Sequence, residues 1–170
     1  MTKPAQQKYS PIGKSQSGYG WTGMHPGEFA ERMKLASLRF AELKKTLKFD
    51  AIAFSGSSGS AAAFCLALKH KIPLIYVRKR NEKSHSYSQV ECNVRNLQIK
   101  TYLIVDDFVD SGATLDYIAN TISKFAKKNN AYPAQQVGAL CYDPYLDRDR
   151  SITYGKHEFN LFTSDKATVD

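Results

Sequence analysis

Short aliphatic segments alternate along this chain with stretches whose apolar residues recur at helical spacing, and that alternation limits the fold more than any other feature. Ala51–Phe54, Leu74–Val77 and residues 102–105 and 137–142 read as strands, with residues 159–162 as a fifth. Ahead of the first strand, Phe29, Met33, Ala36, Phe40, Leu43 and Leu47 recur at steps of four and three, one face of a long amphipathic helix whose first turn suits Pro26. Residues 61–69 read as a second helix, and Leu115, Ile118, Ala119, Ile122, Phe125 and Ala126 form the stripe of a third. Strands that alternate with helices call for crossover connections and a parallel sheet covered on both faces. The expected class is α/β, with a mostly parallel central sheet of four to five strands flanked by helices. Ligands then belong at the carboxyl ends of the strands.

Composition narrows the setting. With 170 residues, 42% of them apolar, the chain can bury the core of one domain spanning residues 1–170. The longest apolar run is the eight residues 61–68, too short to span a bilayer, so no membrane role is expected. Residues 1–10 are polar and lack the apolar middle of a secretion signal, which makes cytoplasmic residence the expectation. Three cysteines, Cys65, Cys92 and Cys141, are too few and too scattered for a disulfide scaffold or a zinc cage; they read as reduced and buried, or incidental. The 24 Lys and Arg against 16 Asp and Glu leave a charge of +8, which suits an anionic partner. That partner could be a polyphosphate metabolite or a nucleic acid, and charge alone does not choose between them.

The chemistry concentrates at the end of the third strand. There the sequence runs Ile104, Val105, Asp106, Asp107, Phe108, Val109, Asp110, Ser111, Gly112, Ala113, Thr114, and a helix follows at once. Two adjacent carboxylates at the end of a buried strand are costly unless hydroxyls, a metal ion or basic groups meet them. The following residues bring backbone N–H groups, two hydroxyls and a flexible glycine to a helix N-terminus, a pocket for phosphate. A sugar phosphate satisfies both halves, its ribose hydroxyls on Asp106 and Asp107 and its phosphate on the loop. Asp110, repelled by a phosphate, would point to the other end of the sugar. The plainer reading makes the acids a solvated turn and Asp110 a helix cap; the unbroken order of strand, paired acids, loop and helix favours the sugar phosphate.

This string resembles the signature of the type I phosphoribosyltransferases, enzymes that use 5-phosphoribosyl-1-pyrophosphate (PRPP). The acid before Ser-Gly is most similar to the form in 6-oxopurine enzymes. The resemblance implies that Asp106 and Asp107 take the ribose hydroxyls, that Asp110, Ser111, Gly112, Ala113 and Thr114 take the 5′-phosphate, and that Asp110 serves as proton acceptor near the base. It implies Mg²⁺ as cofactor, with Asp106 and Asp107 reaching it through water. Residues 55–60, read as a small-residue loop after the first core strand, stand where family members bind pyrophosphate; Ser55, Gly56, Ser57 and Ser58 are the candidates there, together with Lys79. That loop has no basic residue of its own, so its grip would be backbone-based. After the second core strand, Lys79, Arg80, Lys83 and His85 resemble the mobile loop of orotate phosphoribosyltransferases, in which Lys83 and His85 would be catalytic. Asp110 thus points to a purine and the loop to orotate. Asp143, after the fourth strand, suits an amino or ring N–H donor, and Phe108, Tyr142, Tyr145, Tyr19 and Trp21 are aromatics able to stack on a base.

The resemblance covers a core of about residues 50–142, with residues 1–48 and 143–170 expected to form a small hood that selects the base. Its implied partners are PRPP, a nucleobase, pyrophosphate and, as among relatives, a second copy in a homodimer. The implied activity is transfer of phosphoribosyl to a nucleobase, as in purine salvage. The rival is a non-catalytic PRPP or nucleotide sensor, or an RNA-binding regulator, on the same fold.

Overall fold

The computed structural model describes residues 24–80, 82, 88–93, 98–142 and 148–166. Helix α1 spans Pro26–Leu47, with Pro26 in its first turn and the His25 ring nitrogen Nδ1 accepting from the Gly27 N–H at 3.3 Å. Strand β1 (Ala51–Phe54) leads into α2 (Gly56–His70), then β2 (Leu74–Val77), β3 (Val90–Cys92) and β4 (Thr101–Asp106). Helix α3 (Ala113–Lys128), β5 (Gln135–Cys141), β6 (Arg150–Tyr154), β7 (His157–Thr163) and a 3-10 turn at Ser164–Lys166 complete the order.

Seven strands form one sheet in the order β3-β2-β1-β4-β5-β7-β6, two more than the upper expectation. The strands from β2 to β7 through β1, β4 and β5 run parallel, while β3 and β6 pair antiparallel at the edges. Both unexpected strands have weak local signals. Strand β3 is three residues inside a polar segment, and β6 is an edge strand with most residues exposed, so neither carries the apolar run that marks a buried strand. Strands β6 and β7, in the region expected to belong to the hood, continue the sheet beside β5.

Alternate residues of each strand feed two cores. Ile52, Phe54, Leu103, Val105 and Leu140 pack beneath α1 and α2 with Phe40, Leu43 and Leu66. Ala51, Ala53, Ile104 and Ala139 face α3, through Leu115, Ile118 and Ile122. The helical stripes read from the sequence therefore face the two cores, except at the end of α3, where Phe125 is exposed. Among the described residues no helix is long and apolar enough to cross a membrane.

A second difference concerns residues 55–60. The expected loop is only Ser55; Gly56–Ser60 already forms the first turn of α2. First-turn N–H groups have no intrahelical acceptor, so small polar residues that weaken a helix interior cost little here. Cys65 and Cys92 are exposed and Cys141 is buried, and all three are free thiols.

Candidate active site

Three backbone termini converge at the carboxyl edge of the sheet. The end of β4 delivers Asp106 and Asp107, only 7% and 6% exposed. Their positions follow from the local sequence: the aliphatic run ahead of them is buried on both faces, so the strand carries the acids into the protein before it turns. Asp106 Oδ1 accepts from the Asp107 N–H at 3.0 Å and from the Ser58 hydroxyl at 3.4 Å. Burial, and next the Asp107 carboxylate, push the Asp106 carboxyl well above the ordinary carboxylate range. Two hard carboxylate groups held side by side in this state fit a divalent cation such as Mg²⁺. No cluster of three or more His, Cys, Asp or Glu side chains able to hold a metal forms among the described residues, so further ligands would come from substrate oxygens or water.

The loop from Asp110 to Thr114 closes onto the start of α3. Asp110, Ser111, Ala113 and Thr114 are exposed, and the Ser111 hydroxyl accepts from the Ala113 N–H at 3.3 Å. Gly112 caps the helix in the left-handed region, at φ +88°, a conformation L side chains rarely adopt. A β-carbon there would lie 2.8 Å from Ile152 Cδ1 of β6. Ser55, Ser58, Lys79, Asp106, Asp107 and the residues from Asp110 to Thr114 line one cleft of about 190 Å³.

The third terminus is that of α2. A β-carbon on Gly56 would lie 2.6 Å from Lys79 Cε and 2.9 Å from its Nζ, so the Lys79 ammonium lies over the first turn of α2. The cation missing from residues 55–60 in sequence is thus supplied in space from the end of β2. The buried Ser55 Oγ, also on the cleft, has no hydrogen-bond partner among the described residues. A helix N-terminus, a lysine and an unpaired hydroxyl together suit an anion.

Ser57 is exposed and lines the adjoining cavity with Gly56, so the five candidates Ser55, Gly56, Ser57, Ser58 and Lys79 surround one helix end. Lys83 and His85 lie outside the described residues, as do Asp143, Tyr145, Tyr19 and Trp21. Phe108 lines the cleft and is half-buried. Tyr142 does not face a ligand. It is fully buried, its hydroxyl donates to the Ser58 carbonyl at 2.9 Å, and Phe29 meets its ring edge-on. Its position at the end of β5 and facing α2 makes it a brace for the α2 turn.

The β6–β7 hairpin supplies supports that the sequence reading left out. Arg150 donates to the Val109 carbonyl at 3.2 Å, Ile152 and Tyr154 pack against Gly112, and His157 Nδ1 lies 2.8 Å from Asp116 Oδ1 in the first turn of α3. Asp116 also accepts from the Asn120 side chain at 2.8 Å. These four hairpin residues hold both ends of the phosphate-type loop. Nothing in their local sequence marks them, since each acts across some forty residues of chain.

Paired acids, a glycine-capped helix and the start of a second helix thus meet in one crevice at the carboxyl ends of the parallel strands. Its architecture is that of the type I phosphoribosyltransferases. An orotate phosphoribosyltransferase from Aeropyrum pernix superposes with a TM-score of 0.50 and 20% identity, covering 69% of this chain and 59% of that one. Adenine phosphoribosyltransferase from Saccharomyces cerevisiae, solved with an imino-altritol bisphosphate and adenine, gives 0.50 and 18% over 69% of this chain and 68% of its own. A further adenine phosphoribosyltransferase gives 0.51 and 16% over 82% and 81%. At these identities the likeness is one of fold, and this chain spans less than two thirds of the length of the Aeropyrum pernix enzyme. No protein-family model matches the sequence, and no curated protein matches it.

Proposed function

We propose that the protein is a PRPP-dependent phosphoribosyltransferase that moves the 5-phosphoribosyl group to a nucleobase, a purine in preference, and releases pyrophosphate. The observation that carries this reading is the single cleft in which the buried Asp106–Asp107 pair, the Gly112-capped loop and Lys79 meet. Each part matches one part of PRPP. Asp106 and Asp107 accept from the ribose hydroxyls. The N–H groups and hydroxyls from Asp110 to Thr114 hold the 5′-phosphate. Ser55, Gly56, Ser57 and Ser58 offer the start of α2 to the pyrophosphate, with Lys79 adding charge.

In the reaction, the bond from ribose C1 to the pyrophosphate oxygen breaks and a bond from C1 to a ring nitrogen of the base forms. The electron pair leaves with pyrophosphate, and the base's ring proton passes to Asp110. Mg²⁺, held by Asp106 and Asp107 through water, would offset charge on the leaving group. Lys79, with Lys83 and His85 from the following segment, stabilises the same developing charge. Asp106 and Asp107 orient the sugar so that its C1 face meets the base, and the flanking segments, residues 1–48 and 143–170, select that base. The net charge of +8 favours capture of the polyanionic substrate. Cytoplasmic residence and a homodimer complete this reading.

The test is incubation with PRPP, Mg²⁺ and a panel of purine and pyrimidine bases, with pyrophosphate release as the readout. Release that depends on one base, and that is abolished by Asp107→Asn with Thr114→Ala, is the expected result. Retention of PRPP with no release from any base would overturn the enzymatic reading in favour of a sensor.

A further inference from the structure

Beside the phosphate cleft, between α2 and the β2–β3 edge, lies a larger cavity of about 700 Å³, and the phosphoribosyl reaction has no use for its aromatic wall. Its walls are aromatic. Phe54 stacks on Tyr76 with ring centroids 5.1 Å apart and planes 18° apart, and meets Phe64 edge-on at 5.7 Å. Phe64 projects from α2 and remains 54% exposed, a large apolar group with little covering it. Glu82 and Glu91 also line it, and both pair with Arg78. At one end the cavity reaches Gly56, Ser57 and Lys79, and Lys79 also lines the phosphate cleft.

The cavity therefore joins an aromatic wall of Phe54, Phe64 and Tyr76 to an end at the first turn of α2 where Lys79 supplies a positive charge. Pyrophosphate alone has no use for the aromatic walls, and a purely apolar partner has no use for the lysine or the free N–H groups. Just across that turn, on the side of the phosphate cleft, the buried Ser55 hydroxyl lacks a hydrogen-bond partner among the described residues, so the helix end that the two spaces share is open to an anion. A volume of this size suits a ligand of several rings. We propose that the cavity binds a nucleoside diphosphate, its base against Phe64 and its diphosphate on the start of α2 and Lys79. Bound so, the nucleotide occupies the pyrophosphate position and excludes PRPP. The proposal rests on reading the α2 terminus as the pyrophosphate subsite, but needs no phosphoribosyl transfer.

The experiment is calorimetric titration of the full chain with ADP and, separately, with inorganic pyrophosphate. Both are repeated on Phe64→Ala, whose exposed position leaves the fold intact by circular dichroism. ADP is expected to bind about tenfold more tightly than pyrophosphate, to compete with it, and to lose that advantage in Phe64→Ala while pyrophosphate affinity stays unchanged. ADP binding no tighter than pyrophosphate, or an advantage that survives Phe64→Ala, overturns the proposal. Self-association that Phe64→Ala abolishes, with no preference for ADP, would instead give this surface to a second copy and overturn it too. Because every readout is binding, failure of base-dependent pyrophosphate release leaves this result standing on its own.

Discussion

At the tip of β4, Asp106 sits where water is scarce and a second carboxylate is its sequence neighbour. Its raised pKa means that the folded protein holds a proton that the unfolded chain has already released. Between the ordinary carboxylate pKa and the raised one, the native state binds more protons than the unfolded state, so stability falls as pH rises. The free protein should therefore lose stability as pH rises above the ordinary carboxylate range, because burial and the neighbouring Asp107 carboxylate resist the charge on Asp106. Asp106→Asn should flatten that dependence, as urea denaturation at fixed temperature would reveal; an unchanged slope would place the titrating group elsewhere. Hydrogen-bond donors or a hydrated cation brought by a ligand would relieve the same strain. Gly112 is the other residue whose identity the site demands, on account of its positive φ and the close approach of Ile152.

The β6–β7 hairpin is the element whose role is least expected, since an edge hairpin with exposed residues reads as a boundary of the sheet. It touches the phosphate-type loop through Arg150 at the Val109 carbonyl and through His157 at Asp116. It does not line the cleft itself, which makes His157 a positioning residue. His157→Ala should therefore weaken binding of ribose 5-phosphate by about three- to tenfold, near the 1 kcal/mol of one hydrogen bond, while pyrophosphate binds as before. Calorimetric titration of both ligands distinguishes this from general destabilisation, which would lower both affinities together. Tyr142 supports α2 in a comparable way, bonding the Ser58 carbonyl from the end of β5.

Across the molecule, the long helix α1 is tied to the far side of the sheet through charged contacts. Arg39, partly buried, bonds both Glu42 on its own helix and Asp149 at the start of the hairpin. Asp149 in turn accepts from the Thr163 N–H at 3.0 Å, and Arg32 pairs with Asp165 at 2.9 Å. The hairpin that steadies the phosphate-type loop is thus anchored to α1 by a half-buried ion pair. Asp149→Ala leaves Glu42 as the carboxylate partner of the Arg39 guanidinium and removes the acceptor of the Thr163 N–H bond, and should lower unfolding free energy by about 1–3 kcal/mol in a denaturant titration. It should also reproduce part of the His157→Ala loss of ribose 5-phosphate affinity, because the hairpin loses its anchor.

How much of this was legible in the residues themselves depends on the range over which each feature is encoded. Strand β1 and β2 boundaries, the buried stripes of α1 and α3, and the succession of strand, paired acids, glycine and helix at residues 104–114 are local patterns. They follow from side-chain periodicity and backbone preference within a few residues. The two edge strands were hidden because their stability comes from pairing with β2 and β7 and not from their own composition. The placement of Lys79 over Gly56, the burial of Tyr142 beneath the α2 turn and the hold of His157 on Asp116 arise from contacts between segments separated by 23, 84 and 41 positions in the chain. The sequence by itself determined an α/β chain in which paired acids, a glycine and a helix follow the buried strand β4. Only the tertiary structure decided that the candidate Lys79 lies over the first turn of α2 and what braces that turn, because packing joins side chains that no local pattern relates.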